Sequence, residues 1–390
     1  MELKSKIAAH VRDIPRSGIR DFFDIVQKMP DVISLGIGEP DFSTPWSIRE
    51  AAIFALEKDQ TGYTANLGRL KLRREIARYI QRDWQTEYDP ESEIIVTVGV
   101  SEAMDIALRA ILNPGDEVIY HEPCYVSYHP GTLLAHGKPV AVGTSAQNQF
   151  VPLASDLRAK ITNRTKALIL NFPSNPTGAT LSEKQLEEIA EVAIQHDLLV
   201  LTDEIYAELS YDAPHRSIVS FPGMKKRTLL FHGFSKAWSM TGFRVGFCCG
   251  PAVLIEAMMK VHQYSMLCAS SISQEAAIEA LIGGDSAVQQ MKEQYRLRRN
   301  FFADALNEMG LECHRPKGAF YVFPSIRSTG MSSYDFAVGL LHEEKVAVVP
   351  GTAFGPSGEG FVRCSYCASL QDLEEAARRM SAFVKKAKRK

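Results

Sequence analysis

The sequence predicts an α/β protein: a mostly parallel sheet with helices on both faces, joined to a smaller α+β unit. Three observations carry this. Between about residues 90 and 250, short apolar runs alternate with longer runs of helical period. The apolar runs are nearly continuous, as expected of strands buried on both faces. Beyond residue 290 a charged amphipathic stretch gives way to short strand-like runs and a last helix.

Each element follows from its residues. Residues 93–98 read as a strand ending at Gly99, and 101–112 as a helix with Ala103, Met104, Ala107, Leu108 and Ile111 on one face. Asn113-Pro114-Gly115-Asp116 then breaks the chain. Further strands are predicted over 117–120, 167–171, 198–202, 228–231 and 245–249. Ser182-Glu183-Lys184-Gln185 is a capping box ahead of the helical stripe Leu186, Ile189, Ala190 and Ala193. Past residue 290 the pattern predicts a helix over 293–309, strands over 319–323, 346–349 and 361–365, and a helix from Leu370. Phe323-Pro324 and Val349-Pro350-Gly351-Thr352 mark turns at the ends of two of these strands.

Composition narrows the function classes. The chain has 390 residues and 44 Lys+Arg against 46 Asp+Glu, a formal charge of −2, which argues against binding nucleic acid by bulk charge. No run of about 18 apolar residues occurs, so no transmembrane helix is expected. The first 23 residues, with Lys4, Lys6, Arg12, Asp13, Arg16, Arg20 and Asp21, lack the apolar centre of a signal peptide. Seven cysteines, odd in number and mostly in apolar contexts, fit a reducing, cytoplasmic compartment. Cys364 and Cys367 form a C-x-x-C, but three residues apart in a strand-like run they face opposite ways, and no metal site is expected. The basic tail 385–390 reads as the solvated end of a helix, where cations suit the dipole.

In an open parallel sheet, ligands bind at the carboxyl ends of the strands, so the polar residues there are the candidates. Gly99-Val100-Ser101 opens a helix whose free N–H groups suit a phosphate, although Ser101 alone is equally a simple N-cap. Asn171 to Gly178 holds out Asn175 before a proline, the next strand delivers Asp203-Glu204-Ile205-Tyr206, and the one after it Ser235-Lys236 with Arg244 eight residues on. Each has an ordinary reading as a turn, a cap, a surface amine or an ion-pair partner. Their coincidence at one sheet edge is what points to a site.

With these residues in view, the chain resembles the fold type I, pyridoxal 5′-phosphate (PLP)-dependent aminotransferases. Within them it resembles the class I branch of aspartate, aromatic and N-acetyl-diaminopimelate enzymes. The matching stretches are Gly38-Glu39-Pro40-Asp41-Phe42, Tyr63 with Gly68 and Leu72-Arg73, Asn175-Pro176-Thr177-Gly178, Asp203-Glu204-Ile205-Tyr206, Ser235-Lys236 with Met240 to Gly246, Gly318-Ala319-Phe320-Tyr321, and Val362-Arg363. They span essentially the whole chain. The resemblance implies a large PLP-binding domain over 46–290 and a small discontinuous one from 1–45 and 291–390.

The resemblance also implies roles. Lys236 would be the Schiff-base lysine and the base that moves the substrate proton, and Asp203 would pair with the pyridinium nitrogen. Tyr206 and Asn175 would bond the ring oxygen, and Tyr125 would stack on the ring face. Val100, Ser101, Ser235 and Arg244 would hold the phosphate, with Tyr63 reaching it from the neighbouring subunit of a homodimer. Arg363 would clamp the substrate α-carboxylate, and Gly38 would lie against the substrate. The implied reaction is a ping-pong exchange of an amino group between an L-amino acid and a 2-oxo acid, with a PLP-dependent C–S lyase as the alternative. No membrane and no nucleic-acid partner is expected.

Departures bear on the substrate. Some aspartate-specific members carry a lysine at the position of Ser101 or an arginine around 255–275, and this chain has neither; Lys260 is the nearest cation. The segment 261–274 looks closest to the N-acetyl-diaminopimelate type. A PLP-binding regulator lacks room for a DNA-binding module in residues 1–45. A nicotinamide dehydrogenase lacks its G-x-G-x-x-G after a strand, since Gly36-Ile37-Gly38 runs on into Glu39-Pro40-Asp41.

Overall fold

The computed structural model describes residues 3–12, 14, 29 and 31–388. Asp13, Arg16, Arg20 and Asp21 of the N-terminal stretch, and Arg389 and Lys390 of the basic tail, lie outside the described residues. Twelve strands are labelled in chain order: β1 Ile33–Ser34, β2 Ile94–Thr97, β3 Glu117–Glu122, β4 Lys138–Gly143, β5 Thr165–Asn171, β6 Leu199–Asp203, β7 Thr228–Gly233, β8 Gly246–Cys249, β9 Tyr321–Val322, β10 Val346–Ala347, β11 Val349–Pro350 and β12 Val362–Ser365.

Seven strands form the central sheet in the order β2-β8-β7-β6-β5-β3-β4. All run parallel except β8, which is antiparallel to both β2 and β7. The cause is local. A parallel pair needs a crossover, usually a helix, and between β7 and β8 the chain has room only for the short 3-10 turn Thr241–Phe243. The strand period of two divides the β5 side chains between the faces: Ala167 and Ile169 join one apolar cluster, Leu168 and Leu170 the other. The first cluster includes the helix Gly99–Ile111, and the second the helix Glu183–Gln195, so the sheet is covered on both sides as expected.

The capping box forms in full: Ser182 Oγ accepts from Gln185 N, and Gln185 Oε1 accepts from Ser182 N. Each bond satisfies an N–H that a helix start otherwise leaves open. The helix predicted over 101–112 begins two residues earlier, at Gly99, and Glu102 from its first turn accepts the Val98 N–H.

The structure corrects the sequence reading at several places. Strand β4 was not anticipated, because Lys138-Pro139 and a half-exposed pattern disguise it; as the outermost strand it tolerates the missing proline N–H. The run 346–349 is two strands, not one: Val346–Ala347 pairs with β1, while Val349–Pro350 pairs with β12. Pro350 therefore lies within an edge strand, opposite Val362, rather than in the turn. The helix predicted over 293–309 runs from Asp285 to Glu308, starting after the Gly283-Gly284 break. Only Cys364 of the C-x-x-C lies in β12; Cys367 lies two residues past its end, and all seven cysteines are unpaired.

A second sheet, β11-β12-β9, is antiparallel throughout, and β1 pairs with β10, tying the N-terminal part to the C-terminal part. The last helix, Leu370–Ala387, packs Leu373, Ala376, Met380 and Val384 inward, and Lys386 at its end pairs with Glu344. No helix among the described residues is long and apolar enough to cross a membrane.

Candidate active site

The carboxyl ends of β2, β3, β5, β6 and β7 lie along one edge of the central sheet. Asp203 is the last residue of β6, paired with Asn171 on one side and Phe231 on the other. Its carboxylate is buried and accepts from Tyr128 Oη at 2.8 Å and from Ile205 N at 3.2 Å. Burial pushes its pKa up to about 6 against the pull of those two bonds. A buried carboxylate with two donors and no cation on it is suited to a positively charged group arriving from outside the chain.

Asn171 closes the next strand. Its Nδ2 donates to Asp203 O, and its Oδ1 accepts from Asn175 N at 3.0 Å, which fixes the loop bearing Asn175. Asn175 Oδ1 in turn accepts from Arg363 Nη1 at 2.9 Å. Arg363 comes from β12, is 3% exposed, and donates Nη2 to Gly36 O. Its guanidinium carbon stands 4.5 Å from the Tyr321 ring centre and 4.9 Å from that of Phe354, and its Nε is buried without a partner.

Lys236 is half-buried, and its Nζ donates to Gly38 O at 2.6 Å. It lies 5.9 Å from the Tyr206 ring centre and 5.6 Å from that of Phe320. Burial is the largest cause that lowers its pKa to about 8; Arg363 and Arg244 push the same way, and Cys367 and Glu39 oppose. Tyr206 Oη lies 2.9 Å from Tyr321 Oη. A side chain at Gly38 has no room, because its Cβ would stand 2.3 Å from Tyr321 Oη.

A second group of residues gathers at the start of the helix Gly99–Ile111. Arg244, held in the left-handed region at φ 49°, places Nη2 only 2.8 Å from where a Cβ on Gly99 would stand. Its guanidinium therefore lies over the first turn, whose N–H groups, including those of Val100 and Ser101, have no helical acceptor. Ser101 is exposed and Ser235 half-buried beside Lys236. Tyr125 packs edge-on against Tyr128 at 5.6 Å. Tyr63 is 87% exposed, away from these contacts. Among the described residues no group of three or more His, Cys, Asp or Glu is placed to hold a metal ion.

Comparison with known proteins agrees with this geometry. The model of the family "aminotransferase class I and II" matches residues 30–380. The chain belongs to the class I and II aminotransferases. It is 54% identical over 384 residues to the Bacillus subtilis protein YugH, covering 98% of this chain and 100% of that one. It is 47% identical over 375 residues to an aspartate aminotransferase of Pyrococcus abyssi, covering 95% and 96%. The crystal structure of an aromatic aminotransferase from Pyrococcus horikoshii superposes with a TM-score of 0.90 at 46% identity, covering 94% of this chain and 99% of that one. The chain is thus a transaminase that depends on PLP, and nothing in these likenesses favours a lyase.

Three residues of this candidate site were given no role by the sequence analysis. Tyr128 bonds Asp203 across 75 residues of chain, and Tyr321 and Phe354 bracket Arg363. Only Tyr321 carried a signal, as part of a matching stretch.

The raised pKa of Asp203 makes a prediction for the cofactor-free enzyme. A carboxyl whose folded pKa is above its unfolded value favours the fold below about pH 4 and loses that contribution as pH rises through about 6. The loss is about 3 kcal/mol. The Asp203→Asn variant does not titrate there. Its unfolding free energy, measured by urea, should gain on the wild type by about 2 kcal/mol between about pH 4.5 and 7, the rest of the loss falling below pH 4.5. A gap that does not change with pH would show that Asp203 ionises normally.

Proposed function

We propose that this aminotransferase passes an amino group from an L-amino acid to a 2-oxo acid in two half-reactions at one site, where the ends of β5, β6 and β7 face β12. The observation that carries this reading is Arg363: buried, its guanidinium carbon 4.5 Å from the Tyr321 ring centre, with Nε unpaired. A buried guanidinium with a donor to spare fits a carboxylate, and amino acid and oxo acid share that group.

PLP, when bound, supplies the electron sink that lets a bond at the substrate Cα break. The residues present fit it. The buried Asp203 carboxylate suits its ring nitrogen, and Tyr206 with Asn175 suits its ring oxygen. Tyr125 suits its ring face. Arg244 over the helix start, with the N–H groups of Val100 and Ser101 and the Ser235 hydroxyl, suits its phosphate. Lys236 attaches the cofactor and moves the Cα proton through Nζ; an amine with a pKa of about 8 is partly neutral at physiological pH and so can accept one. Gly38, without a side chain, leaves room for the Tyr321 hydroxyl at the floor of the site, where the substrate would lie.

Tyr63 exposes its ring fully enough to enter a second copy, which supports a homodimer with shared sites. Seven unpaired cysteines support a cytoplasmic location. The reading assigns PLP to a domain over 46–290 and the carboxylate clamp to a domain formed by 1–45 with 291–390. The substrate side chain is not set by likeness, since relatives named for aspartate and for aromatic amino acids are 47% and 46% identical. With Ser101 and no arginine over 255–275, the chain has neither of the two cations expected to read a short dicarboxylate.

The holoenzyme mixed with single L-amino acids, without an oxo acid, decides it. One 2-oxo acid per site and no ammonia are expected, with the stored amino group passed to an oxo acid added later. Release of ammonia would overturn transfer in favour of elimination.

A further inference from the structure

Tyr321 has no role in the site as described so far, yet it touches three of its parts. It is the first residue of β9, is 1% exposed, and pairs with Ser365 of β12, two residues from Arg363. Its ring lies under the Arg363 guanidinium at 4.5 Å. Its hydroxyl stands 2.9 Å from Tyr206 Oη and occupies the space that a side chain at Gly38 would need. Such a contact network is closed: ring, hydroxyl and floor are each in contact with a residue the reaction needs.

We propose that Tyr321 is a positioning residue with two separable functions, its ring carrying the carboxylate clamp and its hydroxyl donating to Tyr206. The inference rests on the reading of the site given above. Proton counting supplies the direction. Each phenol has one proton to donate. If Tyr206 donates to the cofactor ring oxygen, its own oxygen is left as acceptor, and Tyr321 is the donor placed to fill it. Burial pushes the Tyr321 pKa up to about 12, against the pull of Arg363, so the donor keeps its proton throughout the working range. Hydrogen bonds in series polarise one another, so the second phenol strengthens the donation of the first.

The ring acts independently of the hydroxyl. A guanidinium over an aromatic face is attracted to it, more so when both are desolvated. The ring also fixes the plane in which Arg363 can present two parallel N–H groups to a carboxylate. The charged and titratable groups that face the two phenols are Lys236, Asp203, Arg363, Tyr125 and Cys367.

Two variants separate the functions. Tyr321→Phe keeps the ring and removes the hydroxyl. On holoenzyme without substrate, the pH midpoint of the bound cofactor's visible absorption change is expected to rise by roughly half a pH unit or more, because the ring oxygen is less well solvated. Its KM for the amino acid should stay within about twofold of wild type, since the cation–π contact survives. Tyr321→Leu removes both, and KM should rise about tenfold in addition to the midpoint shift. A midpoint unmoved in Tyr321→Phe overturns the hydroxyl function, and a KM unmoved in Tyr321→Leu overturns the ring function. The midpoint is read before any substrate is added, so it can stay unmoved while the half-reaction that decides the reading of the site still yields oxo acid without ammonia.

Discussion

Lys236→Ala is expected to abolish transamination, with kcat falling roughly ten-thousandfold while the fold is retained. The magnitude follows from the two functions proposed for one amine, anchoring the cofactor and carrying the proton at Cα. Its surroundings favour both, because burial and two nearby guanidinium groups hold the pKa at about 8. Single-turnover kinetics with cofactor supplied in excess separates loss of binding from loss of proton transfer. Far-ultraviolet circular dichroism should be unchanged, since Nζ makes one hydrogen bond, to Gly38 O. A variant that kept more than a tenth of the wild-type rate would remove Lys236 from the chemistry.

Arg363→Leu should reduce kcat/KM by about a thousandfold, or about 4 kcal/mol, for amino acid and oxo acid alike. The loss has two sources. The substrate carboxylate loses its cation, and Asn175 Oδ1 loses its donor. Arg363→Lys should recover only part of it, because an ammonium cannot offer two parallel donors or lie flat on Tyr321. The effect should fall mainly on KM, with the cofactor's visible spectrum unchanged. A fall in kcat at unchanged KM would place Arg363 at the reacting bond instead of at the carboxylate.

The sheet was legible because its strands carry their burial in their composition. Residues 167–171 and 198–202 are apolar on both faces, which only a covered parallel sheet requires, and the polar residues that follow them are then at its carboxyl edge. Strand β4 was hidden for the opposite reason: an outermost strand that opens Lys138-Pro139 has one covered neighbour and no need for an apolar run. The split of 346–349 into β10 and β11 was hidden as well, because four adjacent apolar residues look alike whether they feed one sheet or two. In the site, Asn175, Asp203, Lys236 and Arg363 stood out through short sequence motifs. Tyr128 did not. A phenol three residues past Tyr125 has no local pattern, and its partner Asp203 comes near only when β3 and β6 are set in one sheet.

The two-residue pairing of β1 with β10 has a mechanical consequence. Leu35 N donates to Ala347 O, Ser365 N donates to Leu35 O, and Arg363 donates to Gly36 O. The segment leading to Gly38 is thereby stitched to the strand that bears Arg363. Lys236 and Asp203 ride on the central sheet. The bonds from Arg363 to Asn175 and from Lys236 to Gly38, with the Tyr206–Tyr321 contact, are among those that join the two. The spacing between the Arg363 guanidinium and Gly38 is therefore held by hydrogen bonds to the backbone, and does not rest on side-chain packing alone.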